Sequence, residues 1–78
     1  MKYIIVETPD GFDTPIIFPD WISHNEMKVK IPGKVVSAGF ITKDDSGNLL
    51  CSGHSVTLGI SSREEDSNII STMMSYRF

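Results

Sequence analysis

The sequence predicts an α+β fold in which a small antiparallel sheet of about four strands is covered by a C-terminal amphipathic helix, with a short helix after the second strand. Three observations support this prediction. Runs rich in β-branched and aromatic residues alternate with turn signals made of Gly, Pro and Asp along most of the chain. Two of these runs flank the turn-forming segment "DDSG". Near the C-terminal end, apolar residues recur at helical spacing.

The first two strands form a predicted hairpin. The first strand covers residues 2–8 and ends at the turn signal "TPDG". The second is the apolar run "TPIIFP" at residues 14–19, in which Pro15 favours a sheet edge or the first position of a strand. A short helix follows, because Ser23 stands three residues before Glu26, the spacing of a capping box. It ends before Pro32, which disfavours helical geometry in the residue that precedes it.

The segments "KVVSAGFITK" and "NLLCSGHSVTLGI" predict two long strands of a second hairpin around "DDSG". Their alternation places bulky side chains on one face. These are Val36, Ala38, Phe40, Leu50, His54, Val56, Leu58 and Ile60. The opposite face carries Ile41 and the small residues Ser37, Gly39, Cys51, Gly53, Ser55, Thr57 and Gly59. Two alternatives remain for this small-residue face: a packing surface for the C-terminal helix or a second copy, or a polar cleft that binds a ligand.

The last predicted element is an amphipathic helix in "SSREEDSNIISTMMSYRF". Ser61 and Ser62 precede Glu64 and Glu65 at capping-box spacing and predict its start. Its apolar face is formed by Ile69, Ile70, Met73 and Met74. We expect a thin sheet to leave part of this face uncovered, which predicts a homo-oligomer.

Composition excludes several classes of function. The chain has 78 residues, predicting one domain, and 40% of them are hydrophobic and 22% charged, as in globular proteins. A net charge of −3 disfavours general nucleic-acid binding. An apolar run of four residues before Glu7 is too short for a signal peptide, and no stretch approaches the roughly 18 apolar residues of a membrane span. We therefore expect a cytoplasmic protein without a membrane partner, in which the single cysteine stays reduced.

The segment "CSGHS" holds that cysteine, Cys51, three residues before His54. A catalytic dyad is not expected, since residues three apart on a strand point to opposite faces. A structural zinc site needs four ligands, and one cysteine with two histidines is too few. We predict no catalytic residue, no metal site and no cofactor.

Two groups of residues are candidates for ligand binding. The segment "GISSR" places Ser61, Ser62 and Arg63 where a strand meets a helix start, and amides there favour a phosphate. The acids at residues 64–66 compete for the same amides, so helix capping is the alternative. The second group is Lys28, Lys30 and Lys34 near Trp21, which together suit a nucleotide by charge and stacking. Its alternative is a solvated lysine-rich surface.

The segments "IIFPDWISH", "VVSAGF", "CSGHSVTLG" and "SREED" resemble small accessory proteins encoded by phages and prophages. The resemblance spans Ile4 to Ile70. It implies a non-enzymatic protein of the infected bacterial cell that counteracts a defence by binding a protein effector or sequestering a nucleotide signal. A small virion or assembly component that acts only through protein contacts is the alternative.

Overall fold

The computed structural model describes residues 1–75. Its elements are β1 (Lys2–Glu7), β2 (Asp13–Phe18), α1 (His24–Lys28), β3 (Lys34–Lys43), β4 (Leu49–Ser52), β5 (His54–Ser55), β6 (Ile60–Ser61) and α2 (Asp66–Ser75). An antiparallel four-stranded sheet has the order β2-β1-β3-β4, and β5 pairs with β6 separately. The predicted α+β fold, with one helix after the second strand and another at the C-terminal end, is confirmed.

The central strand β1 contributes to two cores because its side chains alternate between the faces of the sheet. Tyr3 and Ile5 are fully buried on the face that α2 covers, where they meet Ile70. We call this the α2 face. Ile4 and Val6 are fully buried on the opposite face, the α1 face. The remaining buried residues of the α1 face are Phe18, Val35 and Ala38.

Three chain segments cover the α1 face: the loop into α1, α1 with the residues after it, and the β5–β6 hairpin. Their half-buried apolar residues are Ile22, Met27, Ile31, Leu58 and Ile60. The predicted capping box of α1 is confirmed. The Ser23 hydroxyl accepts a hydrogen bond from the Glu26 amide at 3.0 Å, and the Glu26 carboxylate accepts one from the Ser23 amide at 3.3 Å.

His24 is the buried residue of α1. Its Nε2 donates to the Gly39 carbonyl at 2.9 Å. The imidazole lies edge-on to the rings of Phe18 and Phe40, with centroids 5.5 and 5.4 Å away. These contacts attach the start of α1 to the sheet.

The prediction of one long strand from residue 48 to residue 60 is wrong. β4 ends at Ser52, because Gly53 adopts a φ of 83°, a left-handed conformation that side-chain-bearing residues rarely take. The chain then forms the short β5–β6 hairpin. As a result Val56 is 83% exposed, whereas Leu58 packs against the α1 face. The face assignment predicted for the residues beyond Ser52 therefore does not apply.

An irregularity in β3 also changes the predicted faces. The register between β1 and β3 shifts, so that Ile5 lies opposite Ser37 and Val6 opposite Val35. Val36 is the extra residue of this bulge. It packs against the α2 face, although strict alternation predicts it beside Ala38.

The predicted start of the last helix is wrong as well. α2 begins at Asp66, while Ser61 belongs to β6 and the Ser62 amide donates to the Gly53 carbonyl at 3.0 Å. Its apolar residues do cover the sheet: Ile70 is fully buried, and Ile69 and Met74 pack beside it. In the part of the chain that the structure describes, no helix is long and apolar enough to cross a membrane.

Candidate functional site

The carboxylate of Asp66 accepts four hydrogen bonds at the start of α2. Oδ2 accepts from the Tyr3 hydroxyl at 2.6 Å and from the Arg63 amide at 2.9 Å. Oδ1 accepts from the Ser37 hydroxyl at 3.0 Å and from Arg63 Nε at 3.1 Å. Asp66 is fully buried, as are Tyr3 and Ser37. We call these four residues the Asp66 network.

The fold brings the network together from distant parts of the chain. Tyr3 and Ser37 lie on neighbouring strands, since their partners in the register are Gly39 and Ile5. Residues 63–66 form a turn closed by a hydrogen bond from the Asp66 amide to the Arg63 carbonyl at 3.1 Å. A buried charge is stable only when it is paired and hydrogen-bonded, and the network meets both conditions.

Electrostatics fix the protonation of the donors. Burial raises the pKa of the Tyr3 phenol far above its usual range, and the hydrogen bond to Asp66 and the charge of Asp66 raise it further. Burial alone lowers the pKa of Arg63, but its hydrogen bond to Asp66 and the nearby acids outweigh this and raise it. Tyr3 is therefore a neutral donor and Arg63 a permanent cation at physiological pH.

Arg63 is surrounded by acidic groups. Besides the contact with Asp66, Nη2 lies 3.4 Å from the Asp13 carboxylate and Nη1 lies 3.9 Å from the Glu65 carboxylate. The Arg63 side chain is 28% exposed. Three carboxylates around one guanidinium leave a negative local charge, which repels phosphate. The anion site at Ser61, Ser62 and Arg63 stays a prediction, and these contacts count against it.

The second predicted group lies mainly on the segment that covers the α1 face. Lys28, Lys30 and Lys34 are exposed, and Trp21 is 84% exposed. Lys34 starts β3 and lies opposite Glu7, which also pairs with Asp13. Asp13 is also the residue whose carboxylate lies 3.4 Å from Arg63 Nη2, so the register places Lys34 two strands away from a partner of Arg63.

The residues predicted to form the small-residue face do not lie on one covered surface: Ser37, Gly39 and Ser55 are buried and Cys51 is half-buried, whereas Gly53, Thr57 and Gly59 are exposed. The Ser37 hydroxyl donates a hydrogen bond to Asp66, and the buried Ser55 hydroxyl accepts one from the Leu58 amide at 3.2 Å. A Cβ on Gly39 would lie 2.5 Å from the Ser52 carbonyl oxygen, so this glycine permits the close approach of β4. Packing of the C-terminal helix is thus seen at Ser37 and Cys51, and Ser37 and Ser55 do not line an open cleft.

Cys51 and His54 belong to different strands. The Cys51 amide donates to the Ser67 hydroxyl of α2 at 2.9 Å, and the side chain packs on the α2 face. Burial raises the pKa of its thiol and so lowers its reactivity at neutral pH. His54 is exposed on β5. Among residues 1–75, no cluster of His, Cys, Asp and Glu is arranged to hold a metal ion.

An apolar groove of about 310 Å³ lies beside the C-terminal end of α2. Its walls are Met1, Ile17, Ile41, Lys43, Leu49 and Met74. Sequence reasoning missed this groove, because the lining residues come from separate elements that only the sheet register brings together.

Several large apolar side chains are exposed in the loops and turns. Trp21 is 84% exposed, Val29 75% and Phe12 70%. Exposed apolar side chains of this size are typical of protein contact surfaces when they cluster. Trp21 and Val29 lie on one short segment, and Phe12 lies in the turn between β1 and β2.

No family model, curated protein or solved structure matches this chain.

Proposed function

We propose that this chain is a non-enzymatic binding protein that acts by contact with a bacterial protein. Following its resemblance to phage accessory proteins, we further propose that the partner belongs to a bacterial defence. The observation that supports a contact function is the exposure of Trp21 and Val29 on a segment that is otherwise anchored to the sheet.

The anchoring is specific. Ile22, Met27 and Ile31 pack into the α1 face. Lys2 Nζ donates to the Ile22 carbonyl at 3.1 Å, directly after Trp21. A surface held in this way loses little conformational entropy when it binds, which favours affinity.

The exposed side chains also suit a protein partner. Tryptophan is enriched among the residues that contribute most to protein–protein binding. Lys28 and Lys30 are exposed on either side of Val29 and add positive charge to the segment. We expect a partner surface with an apolar pocket and an acidic rim.

Sequestration of a nucleotide signal is the second candidate function. The exposed ring of Trp21 offers a stacking surface, and the neighbouring lysines offer charge. The acidic surroundings of Arg63 count against that residue as the phosphate anchor. We also propose that the chain forms a homo-oligomer. A role as a small virion or assembly component is the alternative function.

The test uses bacteria that each carry one defence, challenged with a phage that the defence restricts. Expression of the chain should restore plaque formation in at least one strain. Trp21→Ala should abolish the effect, while Phe12→Ala, which removes a similarly exposed aromatic ring elsewhere, should retain it. If expression of the native chain restores plaque formation in none of the strains, a role against the defences tested is contradicted. Equal relief by Trp21→Ala contradicts the assigned surface.

A calorimetric titration separates the two kinds of partner. The native chain and Trp21→Ala are titrated with cyclic dinucleotides, cyclic trinucleotides and ADP-ribose. If the partner is a protein, no nucleotide should bind with a dissociation constant below about 1 mM, which corresponds to a binding free energy of about −4 kcal/mol. Tighter binding that depends on Trp21 would establish sequestration instead.

A further inference from the structure

α2 buries few of its side chains fully. Of its side chains up to Met74, only Asp66 and Ile70 are fully buried. Asn68 and Thr72 are exposed, and the others are half-buried: Ser67, Ile69, Ser71, Met73 and Met74. Elements with few buried apolar contacts open at lower free energy than the core of a protein.

The helix also has little stability of its own. Its described part, Asp66–Ser75, has 10 residues, and isolated helices of up to about 12–15 residues are marginal in water. Its sequence "DSNIISTMMS" is rich in Ser, Thr, Asn and Ile, which are weaker helix formers than Ala, Leu or Glu. We therefore expect the segment to be helical only while it is docked on the sheet.

Polar contacts tie the start of α2 to the sheet: Asp66 bonds to Tyr3 and Ser37, and Ser67 accepts from the Cys51 amide. Further along the helix, Met74 borders a groove that Ile17, Ile41 and Leu49 also line.

The rest of the molecule retains a core without α2. The α1 face has five buried apolar residues, and α2 contributes none of them. The sheet itself is connected through the pairing of β1 with β2 and β3. The pairing of these strands and the packing of the α1 face are therefore built from contacts that do not involve α2.

We infer that α2 is a cover that opens from the sheet while the sheet remains folded, and that the Asp66 network is its latch. Opening exposes Tyr3 and Ile5, which are fully buried in the closed molecule, and so presents an apolar sheet face. This inference does not depend on the binding surface at Trp21.

Amide hydrogen exchange of the native chain compares Ile70, which is fully buried on α2, with Ile4, which is fully buried on the α1 face. A cover predicts that the Ile70 amide is protected at least about tenfold less than the Ile4 amide. Equal protection at the two positions overturns the inference, because α2 then opens only when the whole chain unfolds.

Two variants test the latch. Asp66→Asn removes the charge and replaces one of the two accepting oxygens by a donating amide, so it should speed exchange of the Ile70 amide by about tenfold or more. Asp13→Asn, the matched control, removes one longer contact of Arg63 and should change the rate by less than about threefold. Unchanged exchange in Asp66→Asn overturns the latch. If that variant does not fold, the comparison of Ile70 and Ile4 in the native chain still decides the inference.

Discussion

The α1 face of the sheet is covered by apolar side chains from three segments, whereas the α2 face is covered by one helix whose first turn is held by a buried carboxylate. Apolar packing on the α1 face is non-directional and depends mainly on the area removed from water. The Asp66 network depends on the positions of individual donors. The difference teaches that the two faces of one small sheet are held by different kinds of contact: mainly apolar packing on the α1 face, and a buried polar network beside apolar packing on the α2 face.

The largest expected effect belongs to the α1 face. Phe18 is 1% exposed and contacts the His24 ring, so Phe18→Ala should lower the free energy of unfolding by about 3–5 kcal/mol. Phe12→Ala makes the same chemical change at a residue that is 70% exposed and should cost less than about 0.5 kcal/mol. Urea unfolding followed by circular dichroism measures both. Similar losses in the two variants would mean that the α1 face is not the main core.

The next effect concerns the apolar contact of α2. Ile70 is fully buried against Tyr3 and Ile5, and Ile70→Ala should cost about 2–4 kcal/mol. Ile69 is only half-buried, so Ile69→Ala should cost clearly less. Thermal unfolding of the two variants ranks them. A larger loss for Ile69→Ala would contradict the orientation of α2 on the sheet.

A smaller effect is expected for one donor of the network. Ser37→Ala leaves Asp66 with three of its four hydrogen bonds and should cost about 1.5–3 kcal/mol. Ser52→Ala, at an exposed position on β4, serves as the control and should be nearly neutral. Equal urea midpoints for Ser37→Ala and the native chain would show that the hydroxyl contributes nothing to the attachment of α2.

The smallest effect is a pH dependence from Tyr3. Its pKa is raised in the folded chain, while the unfolded phenol titrates near its ordinary value of about 10. The stabilisation is fully present below that pH and declines above it, by up to about 1.4 kcal/mol per pH unit, because only the unfolded phenol ionises there.

Unfolding of the native chain and Tyr3→Phe at pH 9 to 11 isolates this contribution. The variant should lose less stability than the native chain over that interval. Identical slopes would mean that the phenol ionises equally in both states, and that Asp66 and burial do not hold it neutral.

Much of the fold follows from local signals. The alternating runs of β1 and β3 and the Ser23–Glu26 capping box are short-range patterns, and the structure confirms them. The strand break at Gly53 does not follow from the pattern, since glycine is compatible with both a strand and a left-handed turn. The bulge at Val36 is set by pairing with β1, which strict alternation along one strand does not reveal.

The candidate site was less predictable, because its partners are far apart in sequence. Tyr3 and Asp66 are 63 positions apart, and Ser37 and Asp66 are 29 apart. An aspartate that follows two glutamates reads as a solvated helix start, the usual environment of acids. Only the tertiary contacts show that Asp66 is buried and that Arg63 is directed inward.

The central claim is that Arg63 stabilises a buried carboxylate of its own chain. A double-mutant cycle tests it through the unfolding free energies of the native chain, Arg63→Met, Asp66→Asn and the double variant. Direct contact between Arg63 and Asp66 predicts a coupling of about 1–3 kcal/mol. Single effects that add within about 0.3–0.5 kcal/mol would contradict the claim, because two residues that do not interact give that result.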